Sequence, residues 1–210
     1  CLFASKLCDA RGLKIVLRPG PFICDGPDLG GIPWFLGDTR TRSADPNFLS
    51  AVRSFYTKFF AVLRENQLTA GQGGPIIMAQ VDNEYGIFGG DKQYLAFVRD
   101  FWRQGLGDGV VIYSTDPASP QMLGGSRLDG VLQTIDENSL STAAGFAANF
   151  QTLRASQQQL SAGSSSTPML QPLMDSEFYP GTLNYWGDQQ FPAAFNITAV
   201  SSSLDKLLST

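Results

Sequence analysis

The 210 residues are 43% hydrophobic, enough for one sizeable core and far from a disordered composition. A formal charge of −4, with the basic residues spread singly, excludes a nucleic-acid surface, and no apolar run approaches the ~20 residues that span a bilayer. Histidine is absent, which excludes a Ser–His–Asp triad and a Cys–His pair and leaves acid–base chemistry to carboxylates, Lys or Tyr. The commonest zinc-ligand sets go with it, and no metal is expected.

The three cysteines, Cys1, Cys8 and Cys24, allow one disulfide with a free thiol, or none. The chain opens on Cys without a leader and closes on SSSLDKLLST, still in a helical pattern, so both ends read as internal to something longer.

Leu2 to Ala10 reads as the end of a helix, stopped by Arg11–Gly12. Lys14 to Leu17 is a short apolar strand, followed by a long Gly/Pro-rich loop through Asn47. Its Phe22, Ile23, Trp34 and Phe35 predict a packed functional loop. Phe48 to Asn66 carries apolar residues at helical spacing, namely Phe48, Val52, Phe55, Phe59, Phe60 and Leu63. PIIMAQV, ending at Val81, is a strand buried on both faces, and Asp91 caps a helix running to Gln104. Strands over Gly109 to Tyr113 and Gly130 to Ile135 follow, then a helix over Ala143 to Gln158. SAGSSST is a flexible connection, Met169 to Asp175 a strand, and Thr198 to Leu208 a last helix. Strands alternating with helices imply a parallel sheet covered by helices, either an open doubly wound sheet or a (β/α)8 barrel. Nucleotide-binding fingerprints are missing after the strands.

Two carboxylates stand where strands give way to loops: Glu84 in QVDNEYG and Glu177 in MDSEFYPG. The carboxyl ends of parallel strands share one face, so residues far apart in sequence can meet there. Cleaving a glycosidic bond needs such a pair, one protonated to assist the leaving oxygen and one ionised to stabilise the oxocarbenium-like centre. Asn83 could bond a sugar hydroxyl, and Tyr85, Tyr179 and Trp186 could stack on sugar faces. A lone Glu at a strand end is more often a cap or a surface charge, and Asp82, Asp175 and Asp188 show how common acids are in these stretches.

The surrounding strings decide between these readings. LRPGPFIC, GPIIMAQVDNEYG and DSEFYPG, in this order, closely resemble the β-galactosidases of glycoside hydrolase family 35, and VIYSTD and GVLQTID resemble strands between them. The resemblance implies an incomplete (β/α)8 barrel, approximately strands 3 to 7 with their helices, so that residues 1–210 form part of one catalytic domain. It implies a retaining, exo-acting hydrolase releasing terminal β-galactose, with Glu84 as acid/base and Glu177 as nucleophile and no cofactor. Asn83, Tyr179 and Cys24 match residues around the sugar. After Cys24 the family shows Ala-Glu-Trp, whose Glu binds galactose; here Asp25-Gly26-Pro27 stands instead. Either Asp25 or Asp28 substitutes, or the substrate is another β-glycoside. A carbohydrate-binding pseudo-enzyme is the rival class, disfavoured because a pure binder needs neither glutamate.

Five strands cannot close a barrel, so the 210-residue piece alone is expected to be inactive and aggregation-prone. Asn196-Ile197-Thr198 is an N-glycosylation sequon and, with a sequence pI near 4.7, points to a secreted or lysosomal/vacuolar protein.

Overall fold

The computed structural model describes residues 2–24, 26, 29–138, 143–162, 171–179 and 197–208. Helix α1 (Leu2–Ala10) ends as its sequence predicts: Gly12, at φ 70°, takes the left-handed turn and lets Leu13 N–H reach Cys8 O at 2.9 Å. Strand β1 (Ile15–Leu17) leads into the long loop, which contains two short 3-10 turns. That loop is less packed than its aromatic content implies. Phe22 is half-buried, while Trp34 (80% exposed) and Phe35 (62%) face outward, edge to face with each other.

Helix α2 (Pro46–Glu65) starts before the predicted Phe48, because Pro46 suits a first helical position and the Asp45 carboxylate accepts from Asn47 and Phe48 N–H at 2.9 and 3.2 Å. Its buried stripe is Phe48, Val52, Tyr56, Phe60 and Leu63; Phe55 is displaced to the exposed side by the helical phase that buries Tyr56. Strand β2 (Ile76–Gln80) is followed by one turn of helix, α3 (Tyr85–Phe88), and by α4 (Lys92–Leu106). Asp91 caps α4 as expected, accepting from Gln93 and Tyr94 N–H at 3.0 Å each. Gly105 lets α4 approach α2 closely, since a Cβ there would lie 2.2 Å from the Phe60 ring. Trp102, fully buried between these helices, donates its indole N–H to Gln80 O at 2.9 Å and so ties α4 to the end of β2.

Strand β3 (Val111–Pro117) runs past the predicted Tyr113, and β4 (Leu132–Asn138) past Ile135. Both carry acids into their last residues. Between them lies α5 (Pro120–Ser126), a short helix the sequence pattern did not reveal. Helix α6 (Ala143–Ala162) packs on β4. Strand β5 (Asp175–Tyr179) corrects the sequence reading: the described part of the predicted strand before Asp175, residues 171–174, is irregular, so Glu177 lies inside a strand rather than after one. Pro172 explains the shift, because it has no N–H to give a ladder. Helix α7 (Ile197–Leu208) packs on α6.

The five strands are all parallel and stand in sequence order, β1-β2-β3-β4-β5. Consecutive parallel neighbours with helical crossovers form an incomplete (β/α)8 barrel, open at β1 and β5 among the described residues. A doubly wound sheet would reverse its strand order partway, and this one does not. One core lies between α2, α4 and the first three strands; a smaller one joins Leu123, Ile135 and Leu153. Cys8 and Cys24 are free thiols, and Cys1 lies outside the described residues. No described helix is long and apolar enough to cross a membrane.

Candidate active site

Because the strands are parallel, their carboxyl ends line one edge, and each of the five delivers a polar residue there. Arg18 follows β1; Gln80, Asp82, Asn83 and Glu84 close β2; Asp116 ends β3; Asp136 lies in β4; Glu177 and Tyr179 lie in β5. Register aligns Gln80 with Tyr113, Pro117 with Asp136, and Asp136 with Glu177.

Arg18 joins the two predicted glutamates. Its Nη2 lies 2.8 Å from Glu177 Oε2 and donates to Asn83 Oδ1, while its Nε donates to Gln80 Oε1 at 2.8 Å. Asn83 Oδ1 also accepts from Gln80 Nε2 at 3.2 Å, and Asn83 Nδ2 donates to Glu84 Oε2 at 3.1 Å. Buried and held from three sides, Asn83 fixes Glu84. Burial raises the Glu177 carboxyl above its ordinary value, the Arg18 charge opposes that rise and the Glu84 charge adds to it. Tyr179, at the rim, has its hydroxyl raised by burial and by the Asp136, Glu84 and Glu177 carboxylates, which places it beside the acids.

Glu84 sits in the left-handed region at φ 42°, ψ 47°, and Asp82 at φ 57°. Such conformations cost of order 1–3 kcal/mol each and persist only where the surroundings impose them. Here the imposing group is Arg42, buried beneath the turn. Its Nε donates to Asp82 Oδ2 at 3.1 Å and its Nη2 to Asn83 O at 2.5 Å, and its guanidinium lies 4.1 Å from the Phe22 ring centre and 4.5 Å from that of Phe88. Tyr94 Oη adds a donor to Asp82 at 2.9 Å. On the far side, Asp116 Oδ1 accepts the Gly86 N–H at 2.6 Å and anchors the start of α3.

Of the remaining predicted residues, Tyr85 is not free to stack on a sugar: it is buried, its hydroxyl donates to Arg42 O at 3.0 Å, and its ring packs on Tyr94. Cys24 is exposed and, among the described residues, makes no hydrogen bond to the carboxylate row. Asp25, Asp28, Trp186 and Asp188 lie outside the described residues. Sequence reasoning missed Arg18, Arg42, Asp116 and Asp136. For Asp136 a signal existed, since it directly follows the predicted strand ending at Ile135, as an acid at a strand end. Among the described residues no group of His, Cys, Asp and Glu could hold a metal ion.

Burial also raises the proton affinity of other acids in and beside the row. Burial pushes Asp116 up to about 7, opposed by hydrogen bonds from Ser126 and Gly86. Burial, then the Glu84, Glu177 and Asp116 charges, push Asp136 up to about 8; burial pushes Asp175 up to about 6. Each acid binds its proton more tightly folded than unfolded, so its stabilising effect is complete below about pH 4 and is lost as pH rises through its folded value. Asp116 alone should contribute a loss of about 2 to 3 kcal/mol between pH 5 and 8. Thermal unfolding of the protein carrying this chain should show a Tm falling over that window, with a shallower fall for Asp116→Asn. A Tm that rises over the window would contradict these proton affinities.

The sequence profile of glycosyl hydrolases family 35 matches residues 3–209. The chain belongs to this family. Beta-galactosidase 1 of Dictyostelium discoideum is 37% identical over 207 residues, covering 94% of this chain and 29% of that protein. The Beta-galactosidase of Canis lupus familiaris is 36% identical and that of Homo sapiens 35%, each covering 97% of this chain and 28% of its relative. The family 35 chain thus spans less than a third of the length of these curated relatives. Among its described residues, the carboxyl edge of the sheet is where this family member gathers its buried acids.

Proposed function

We propose that the protein carrying this chain is a retaining, exo-acting β-galactosidase-like hydrolase that releases terminal β-galactose from oligosaccharides or glycoconjugates. Glu84 is its acid/base and Glu177 its nucleophile. The observation that carries this reading is the joining of Glu84 and Glu177, through Asn83 and Arg18, on one sheet edge. Glu84 protonates the glycosidic oxygen as the Glu177 carboxylate attacks the anomeric carbon; the C–O bond to the aglycone breaks and a glycosyl ester on Glu177 forms. Glu84, now ionised, takes a proton from water, which attacks the same carbon and frees Glu177. Arg18 favours the ionised form of the nucleophile. Asn83 and Tyr179 border the sugar, together with Cys24 and Asp25 of the loop, and the chemistry calls for no cofactor.

Turnover of a panel of aryl β-glycosides, with mass spectrometry after a 2-deoxy-2-fluoro sugar, tests this. The expected outcome is preference for the β-galactoside and a label on Glu177. A label elsewhere refutes the nucleophile, and binding without hydrolysis establishes the pseudo-enzyme reading. A different preferred sugar is the one alternative with its own observation, since Asp25-Gly26-Pro27 follows Cys24 where the family shows Ala-Glu-Trp.

A secretory route to the cell exterior or to a lysosome or vacuole fits this reading, because the carboxyl row favours an acidic compartment. The sequon asparagine Asn196 lies outside the described residues; loss of mass on enzymatic deglycosylation, absent in Asn196→Gln, would establish its glycan, and an unchanged mass would refute it.

A further inference from the structure

The two-carboxylate chemistry makes no use of Asp136, yet β4 places this residue between the groups that perform it. It pairs in register with Glu177 on one side and with Pro117, next to Asp116, on the other. Only 5% of it is exposed, and the Glu84 carboxyl strengthens its hold on a proton through its charge and through a side-chain hydrogen bond. Ionised carboxylates only accept, so two carboxyls in such contact need a proton on one of them. Among the described residues no N–H or O–H reaches Asp136 Oδ1. Asp136 is faced by Glu84 from the turn after β2, Asp116 from β3, and Glu177 and Tyr179 from β5, with Glu137 beside it on β4. The nearby Arg18 is committed to Glu177, Asn83 and Gln80. An ionised Asp136 would therefore add a negative charge to this group of acids with its Oδ1 unpaired among the described residues, in a buried place where that is costly.

We propose that Asp136 is a positioning residue of the hydrolase: as a neutral acid it donates its O–H to Glu84, fixing that side chain and stabilising the carboxylate left when Glu84 gives up its proton. The inference rests on the acid/base role proposed for Glu84. In the first step the Glu84 proton passes to the leaving oxygen while Asp136 keeps its own, so Asp136 holds the resulting carboxylate in place without exchanging anything with substrate. In the second step the same donor holds Glu84 in place as it takes the proton from water. Once Asp136 ionises at alkaline pH, the donor is gone and a repelling charge replaces it.

The test compares pH profiles of kcat and kcat/KM on an aryl β-galactoside for the protein carrying this chain and its Asp136→Asn and Asp136→Ala variants. Asparagine keeps the shape and offers an N–H to Glu84, but it cannot ionise. Asp136→Asn should keep kcat within about threefold at pH 5 and extend activity to higher pH, whereas Asp136→Ala should lose roughly 10- to 100-fold in kcat with KM little changed. If Asp136→Ala fails to fold, as thermal unfolding would reveal, the Asp136→Asn profile decides alone. The proposal is overturned if the alkaline limb of Asp136→Asn matches that of the parent, or if the amide costs as much kcat as the methyl. Glu84→Gln and Glu177→Gln run alongside: full turnover in either would remove the underlying assignment, an outcome separate from failure at Asp136.

Discussion

Replacing Glu177 with Gly in the protein carrying this chain should lower kcat/KM by roughly a thousandfold or more, because no other group can then form the glycosyl ester. Added azide should restore turnover, entering the space left by the carboxylate and giving an α-glycosyl azide. Glu84→Ala should behave differently. With a good aryl leaving group the first step needs little acid assistance, so the glycosyl ester forms and accumulates; with a poor one the loss should reach roughly 10² to 10⁴-fold. Azide then attacks the ester from the Glu84 side and gives the β-glycosyl azide. Two opposite anomers from two variants assign the two roles independently of any rate. The same anomer from both, determined by NMR of the products, would contradict the assignment.

The second large effect is expected at Arg42. Substituting Met leaves the Asp82 carboxylate fully buried with only Tyr94 and backbone N–H groups as donors. Removing one partner of a buried pair typically costs about 3 to 5 kcal/mol, far more than loss of an exposed pair. Burial already raises the Asp82 carboxyl despite the guanidinium, so its charge depends on that contact. Arg42→Met should therefore lower Tm markedly and lower kcat too, since Arg42 also holds Asn83 O and with it the left-handed turn of Glu84. Arg42→Met combined with Asp82→Asn should recover part of the stability, because no charge is then left buried. Denaturant unfolding of both single variants and the double variant measures this. A double variant less stable than the sum of the singles would show that the pair does not act as a unit.

The elements legible in the sequence were those with local causes. Asp91 announces α4 by capping and the apolar spacing from Phe48 announces α2, whereas the Asp45 cap that sets the start of α2 went unread. PIIMAQV announces β2 by its unbroken apolar run, although Ile77 and Met78 are only half-buried. Misplacement of β5 has an equally local cause, since Met169 to Leu173 is as apolar as a strand but contains Pro172. The extra residues of β3 and β4 were missed because STDP and DEN look like loop in sequence; pairing with a neighbouring strand makes them extended.

For the site, the sequence by itself singled out the two proposed glutamates, because each sits in a long motif, and it left no histidine chemistry to these 210 residues. Only the tertiary structure decided what surrounds them. Arg18 reaches Glu177 because β1 and β5 lie in one curved sheet, and no local pattern records that contact. Arg42 looks like any loop arginine until Phe22, Tyr85 and Phe88 close over it. Asp136 looks like any acid at a strand end until parallel register sets it beside Glu177 and against Glu84. The physical reason is common to all three. The charge and burial of a side chain depend on neighbours supplied by other strands, and parallel pairing draws those neighbours from distant parts of the chain.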